Sequence, residues 1–233
     1  ADLVLFVLSV FEIDQYDRLA EELYNNKIRL DTEPPSISVT KRHTGGLKVT
    51  TAKGVDLDEA TIKEVCREYG YVNADITIQQ NLDIDELVDA LMDNRVYLPS
   101  AVAVNKADLI EPDYLDTVNA DLRDRGIDPD DAVFISAEEE KGLDALKEKI
   151  FDSLGLIRIY MDKPGRGVDY DEPLVITEDE NTVEDVLDKL GGDFDERFRF
   201  GRVSGESAKH DEQQVGRTHE LADEDVLRIV ARK

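Results

Sequence analysis

The sequence is poor in most of what would tie a chain to a membrane, a disulfide framework or a metal. Cys66 is its only cysteine in 233 residues, which excludes an internal disulfide and a cysteine-built zinc site. It falls in the apolar series Ile62, Val65, Cys66, Tyr69, where a small buried hydrophobe is expected. His43, His210 and His219 are too dispersed to predict a metal centre. No apolar run approaches the roughly 18 residues of a membrane span, and no secretory signal pattern is expected. Tryptophan is absent, and positive charge is scarce: 28 basic residues stand against 54 acidic ones, a net charge of −26. Hydrophobic residues still make up 41% of the chain, enough for one large or two modest globular domains. The acids are dispersed along the whole length, so they define no single partner patch. Such a surface suits a cytoplasm holding molar salt, where the Debye length shrinks to roughly 3 Å, and it predicts a salt-adapted, archaeal source.

Against that background one stretch carries specific chemistry. Val102-Ala103-Val104 is an apolar strand that runs into Asn105-Lys106-Ala107-Asp108. Asn-Lys-x-Asp at a strand's C-terminal end is the pattern with which P-loop GTPases read guanine. The Asp108 carboxylate can accept from both N1–H and the exocyclic amine of guanine, a donor pair that adenine does not offer. Asn105 can bond the other side of the base, and the Lys106 stem can cover its face. Further on, Ala132 to Ile135 forms a second apolar strand that ends in Ser136-Ala137, whose Ala137 N–H can reach guanine O6. Ligands of open α/β sheets bind at the carboxyl ends of strands, where both motifs fall. The competing structural reading is that Asn105 and Ser136 simply cap the helices that follow.

The phosphate-binding partner of such a site is missing. No Gly-x-x-x-x-Gly-Lys-Ser/Thr occurs, and no Asp-x-x-Gly stands where a switch would need it. The chain opens directly on a hydrophobic strand, Leu3 to Val10. The expectation is the C-terminal part of a larger protein, without the segment that cradles phosphates and binds Mg2+.

Periodicity predicts the organisation. After the first strand, Tyr16, Leu19, Ala20, Leu23 and Tyr24 recur at helical spacing. Glu33-Pro34-Pro35 interrupts the pattern, and an α+β stretch of strands near Leu47 and Ala74 and helices opened by Asp58 and Asp83 follows. Strand and helix then alternate again from Ser100 to Gly155, the grammar of a parallel sheet. From Leu156 the pattern changes to a hairpin around Pro164-Gly165-Arg166-Gly167, a helix begun by Thr182, and short returning strands. The fold class expected is α/β: a partial P-loop GTPase domain (residues 1–30 and 95–155), an inserted α+β subdomain (31–94) and a β-grasp domain (156–233).

Two local reversals of sign stand out. Residues 34–55 hold no acid but contain Lys41, Arg42, Lys48 and Lys53, and a second cluster comprises Arg197, Arg199, Arg202, Lys209 and Arg217. Both are candidate contacts for an RNA phosphate backbone, against the blander reading of solvated, acid-paired faces.

With these pieces in order, the chain resembles the DRG (developmentally regulated GTP-binding protein) family, in its archaeal branch. The resemblance runs from Ala1-Asp2-Leu3-Val4-Leu5 through Ile28-Arg29-Leu30, Pro34-Pro35, the two guanine motifs and Arg158-Ile159-Tyr160 to Ser207–Gly216, marks of a TGS domain. Lys209-His210-Asp211-Glu212-Gln213-Gln214-Val215-Gly216 is similar to the family's Lys-His-x-Pro-Gln-x-Val-Gly, with Glu212 where Pro is usual and Ser204 where an aromatic is expected. The resemblance implies a cytoplasmic GTPase that binds GTP and GDP, uses Mg2+ in its full-length form and works around ribosomes and translation. It carries guanine recognition to Asn105, Lys106, Asp108, Ser136 and Ala137, and no catalytic residue to this sequence. Two other roles compete: a non-catalytic RNA- or ribosome-binding module acting through the TGS domain and the insert, and a protein-interaction scaffold using the TGS sheet.

Overall fold

A computed structural model of the chain describes residues 1–163, 165–192 and 194–231. Pro164, the first residue of the expected Gly-rich turn, lies outside the described residues. The chain divides into two compact units, Ala1–Phe134 and Ile135–Lys233.

The first unit opens with β1 (Val4–Ser9), α1 (Gln15–Asn25) and β2 (Ile28–Leu30). Next come β3 (Ile37–Lys41), β4 (Leu47–Thr51), α2 (Glu59–Glu68), β5 (Ala74–Ile78), α3 (Ile84–Met92) and β6 (Val96–Leu98). It closes with β7 (Ser100–Asn105), α4 (Pro112–Asp124) and β8 (Ala132–Phe134). β1, β7 and β8 form a parallel sheet with β7 in the middle, and β1 pairs with β7 from Val4↔Ser100 to Ser9↔Asn105. β7 is buried from Ala101 to Val104, as an apolar run at the centre of a parallel sheet demands. Phe6, Leu8, Val102 and Val104 form a core with Val118 and Leu122 of α4, and Tyr16, Leu19 and Leu23 of α1 pack against it.

A second core lies within the same unit. β3, β5 and β4 form a three-stranded sheet, with β5 in the middle, antiparallel to β3 and parallel to β4. Alternation puts Ala74, Ile76 and Ile78 on one face, against Ile62 and Cys66 of α2 and Leu87 and Leu91 of α3. Cys66 is buried, and burial pushes its thiol above the ordinary range, so it behaves as the small hydrophobe expected. The Asp58 carboxylate caps α2 by accepting from Ala60 and Thr61 N–H, and Asp83 with Glu86 forms a reciprocal capping box on α3.

A parallel pair of short strands, β2 with β6, was not apparent from the periodicity, because three residues are too few to show a period. Arg29 on β2 donates to Asp89 of α3 through Nε at 2.6 Å, and Arg95 donates to the same buried carboxylate at 2.6 Å. Asp31 accepts from both the N–H and the hydroxyl of Ser100, tying the end of β2 to the start of β7.

The second unit contains α5 (Leu143–Ser153), β9 (Leu156–Lys163), β10 (Gly167–Val168), β11 (Leu174–Thr177) and α6 (Val183–Leu190). A single turn α7 (Phe194–Arg197), β12 (Phe198–Ser204), β13 (Gln213–Val215) and β14 (Asp225–Ala231) follow. The sheet order is β10-β9-β14-β12-β13, with β11 beside β9, and β9 and β14 run parallel. Ile157, Ile159, Val203 and Leu227 bury against Val183, Val186 and Leu187 of α6, giving the β-grasp arrangement of one helix on a mixed sheet. Thr182 caps α6 in a box with Asp185, whose carboxyl is held below its ordinary range by the hydrogen bond from the Thr182 hydroxyl.

Candidate functional site

β7 ends at Asn105, and the chain turns at once. Lys106 takes a left-handed conformation (φ 66°, ψ 31°), and a 3₁₀ turn over Ala107–Leu109 follows. The Lys106 N–H donates to the Asn105 side-chain oxygen at 2.8 Å, and Leu109 N–H donates to the Lys106 carbonyl at 3.1 Å. Val10 N–H donates to the Asn105 carbonyl at 3.0 Å, so the root of the loop is clamped to the end of β1. Asn105, Lys106 and Asp108 are thus gathered on one tight turn beyond the sheet edge. Asp108 is exposed, and among the described residues no hydrogen bond or ion pair engages its carboxylate. Both oxygens can therefore receive a donor pair. The N-cap of the 3₁₀ turn is Lys106, and the Asn105 oxygen fixes the turn by accepting from the Lys106 N–H.

Ser136 and Ala137 stand in the second unit, one residue beyond the end of β8. Ser136 is 2% exposed; it pairs by backbone with Lys141 in both directions at 3.0 Å, and its hydroxyl accepts from Glu139 N–H at 3.1 Å. Ala137 is exposed.

The basic residues distribute less simply than their sequence clusters. Lys41 turns toward the helix-covered side of the small sheet, its ammonium 5.1 Å from the Tyr71 ring centroid. Arg42 pairs with Asp75 on the opposite side. Lys48 is exposed on that side too, and Lys53 is exposed in the turn after β4. In the second unit, Arg202 pairs with Glu212 at 3.1 Å, and Arg217 is held by Asp195 and stacks 5.1 Å from the Phe198 ring. Arg197 ends α7. Arg199 is exposed beside Phe200, 5.8 Å from its ring, and Lys209 is exposed in the loop before β13.

Glu212 and Ser204, the two positions where the resemblance leads one to expect other residues, touch each other. Glu212 has φ 50°, its N–H donates to the Ser204 hydroxyl at 2.9 Å, and its carboxylate pairs with Arg202 and Arg228. Proline has neither an N–H nor access to positive φ. Nearby, the Ser207 hydroxyl donates to the fully buried Asp225 at 2.5 Å and meets His219 Nε2 at 3.0 Å, which anchors the motif loop to β14. Among the described residues there is no cluster of metal-ligating side chains.

Two family models match the chain. Residues 44–156 match the model of the C-terminal region of the MMR_HSR1 domain, and residues 157–231 match the TGS domain. The class is therefore a mixed α/β protein that joins the C-terminal region of an MMR_HSR1 domain to a TGS domain. An uncharacterized GTP-binding protein of Halobacterium salinarum is 62% identical over 233 residues, covering 100% of this chain and 63% of that protein. A second, of Methanocaldococcus jannaschii, is 40% identical, with 100% and 59% covered. Developmentally-regulated GTP-binding protein 1 of Xenopus laevis is 36% identical, with 98% and 61% covered. The chain belongs to the DRG-like family of GTP-binding proteins, and it spans about three-fifths of the length of these curated relatives.

Proposed function

We propose that this chain carries the guanine-reading part of a DRG-type GTP-binding protein. The observation that carries the reading is the Asn105–Asp108 turn, which presents an exposed, unengaged carboxylate and an ordered asparagine at the C-terminal end of a buried parallel strand. Asp108 accepts from guanine N1–H and the exocyclic amine, Asn105 bonds the opposite edge, and the Lys106 stem covers the ring. Ser136 and Ala137 are assigned to the base on the Ser-Ala motif alone. GTP or GDP is the ligand. Mg2+ belongs to the nucleotide in the complete protein, and no residue of this chain is assigned to it. The partition into residues 1–30 with 95–155, the insert 31–94 and the TGS domain 156–233 is part of the same reading. Hydrolysis draws its transition-state stabilisation from phosphate and metal contacts, so the 233-residue chain itself is assigned binding and not turnover.

The test is competition against a fluorescent GDP analogue. Guanine nucleotides should displace it at lower concentration than the matching adenine nucleotides. Equal displacement by both would overturn the assignment.

A second role, contact with RNA or the ribosome in a salt-rich cytoplasm, is supported by exposed cations on so acidic a chain: Lys48 and Lys53 in the insert, Arg199 and Lys209 in the TGS domain. A protein partner on the TGS sheet is the rival to that role. Among the described residues no helix is long and apolar enough to cross a membrane.

A further inference from the structure

The insert's three-stranded sheet has one face closed by α2 and α3 and one face open. The open face has an unusual composition for a chain of net charge −26. Ser38, Thr77 and Thr50 stand in register across β3, β5 and β4, making a row of three hydroxyls. Thr40, Asp75 and Lys48 make the next row. Rows two residues apart are separated by about 6.8 Å and neighbouring strands by about 4.8 Å, so the groups form a regular grid. Asp75 is the only carboxylate in these strands, and it is neutralised by Arg42. Its Oδ1 is buried and its Oδ2 lies against Arg42, so the carboxylate is paired rather than free. Ser38, Thr40, Lys48 and Thr50 are exposed.

We propose that this open face docks the sugar–phosphate backbone of single-stranded RNA. The proposal rests on the RNA role stated above and names the surface that performs it. Charge complementarity selects a polyanion: a face with Lys48 and no free acid, on a protein that otherwise repels anions. Hydroxyls both donate to phosphate oxygens and exchange hydrogen bonds with ribose 2′-OH groups, which favours RNA over DNA. The face carries no aromatic ring on which a base could stack, so contact is with the backbone and independent of sequence. The TGS cluster, with its arginines and the half-buried Phe200, is a different kind of surface.

The experiment measures binding of poly(U), poly(A) and single-stranded DNA of the same length by the full chain across a potassium chloride titration. Poly(U) and poly(A) should bind alike, and both more tightly than DNA. Lys48→Gln should lower the slope of log affinity against log salt by about 0.7, one single-strand counterion. Thr40→Glu with Thr50→Glu should weaken binding at least tenfold. Thr50→Val, isosteric and suited to a strand, should weaken it about threefold if a hydroxyl contact worth about 0.7 kcal/mol is lost, and Thr50→Ser should restore it. Circular dichroism of each variant separates lost binding from lost fold. Binding unaffected by these changes but abolished by Arg199→Ala with Lys209→Ala would overturn this surface while leaving the RNA role standing. No binding to any RNA by the folded chain, or equal affinity for DNA, would overturn the RNA assignment itself.

Discussion

Glu212 shows how one residue can settle a local structure that its neighbours leave open. Its positive φ, its N–H to Ser204 and its pairs with Arg202 and Arg228 are mutually dependent. Glu212→Pro, the residue the resemblance leads one to expect there, would remove the donor, force φ to about −65° and discard the ion pairs. Proline placed where its φ does not fit destabilises by more than the roughly 1 kcal/mol it can contribute where it does. The urea midpoint of Glu212→Pro should therefore fall, and Ser204→Ala made in that background should cost less than in the parent, because its partner is already gone. Additive losses would show that the two departures are independent. Gly205 is a second such position: at φ 141° an added Cβ would collide with the Asp225 carboxylate that anchors Ser207. Neither constraint is legible in the sequence, since each depends on residues brought together by a loop of irregular conformation.

At the scale of elements, legibility followed length and period. α2, α3 and α6 lie where apolar spacing and a cap residue placed them, and buried β7 lies where a continuous apolar run ends in the Asn-Lys-x-Asp turn. The short pair β2–β6 and the single turn α7 escaped because neither is long enough to show a repeat. The basic clusters were visible as composition, but strand alternation divides one of them: Lys41 faces Tyr71 while Arg42 and Lys48 take the other side. The cap of α6 makes an element-scale prediction. Thr182 accepts from Asp185 N–H, and Asp185 accepts from Thr182 N–H. Thr182→Ala should cost about 1 kcal/mol of stability, read as a lowered midpoint in urea, whereas Thr182→Ser should keep most of it. Equal losses in both variants would place the effect in the methyl group's packing instead.

The whole molecule is governed by its charge. With 54 acids against 28 bases, self-repulsion opposes the compact state in dilute buffer and is screened in molar salt. The thermal midpoint should rise steeply between roughly 0.1 M and 2 M potassium chloride, a range over which the Debye length falls from about 10 Å to under 3 Å. A flat midpoint would remove the reading of a salt-adapted surface. Nucleotide recognition bears most directly on what the protein does, and it turns on Asp108. The decisive measurement compares GDP and XDP affinities for the parent chain and for Asp108→Asn. Xanthine replaces the exocyclic amine of guanine with a carbonyl, so the asparagine amide should offer a donor where the carboxylate offered an acceptor. Preference should pass from GDP to XDP, a swing on the order of 1–3 kcal/mol for one bidentate base contact. A GDP-to-XDP ratio unchanged by the substitution would contradict guanine reading by this turn.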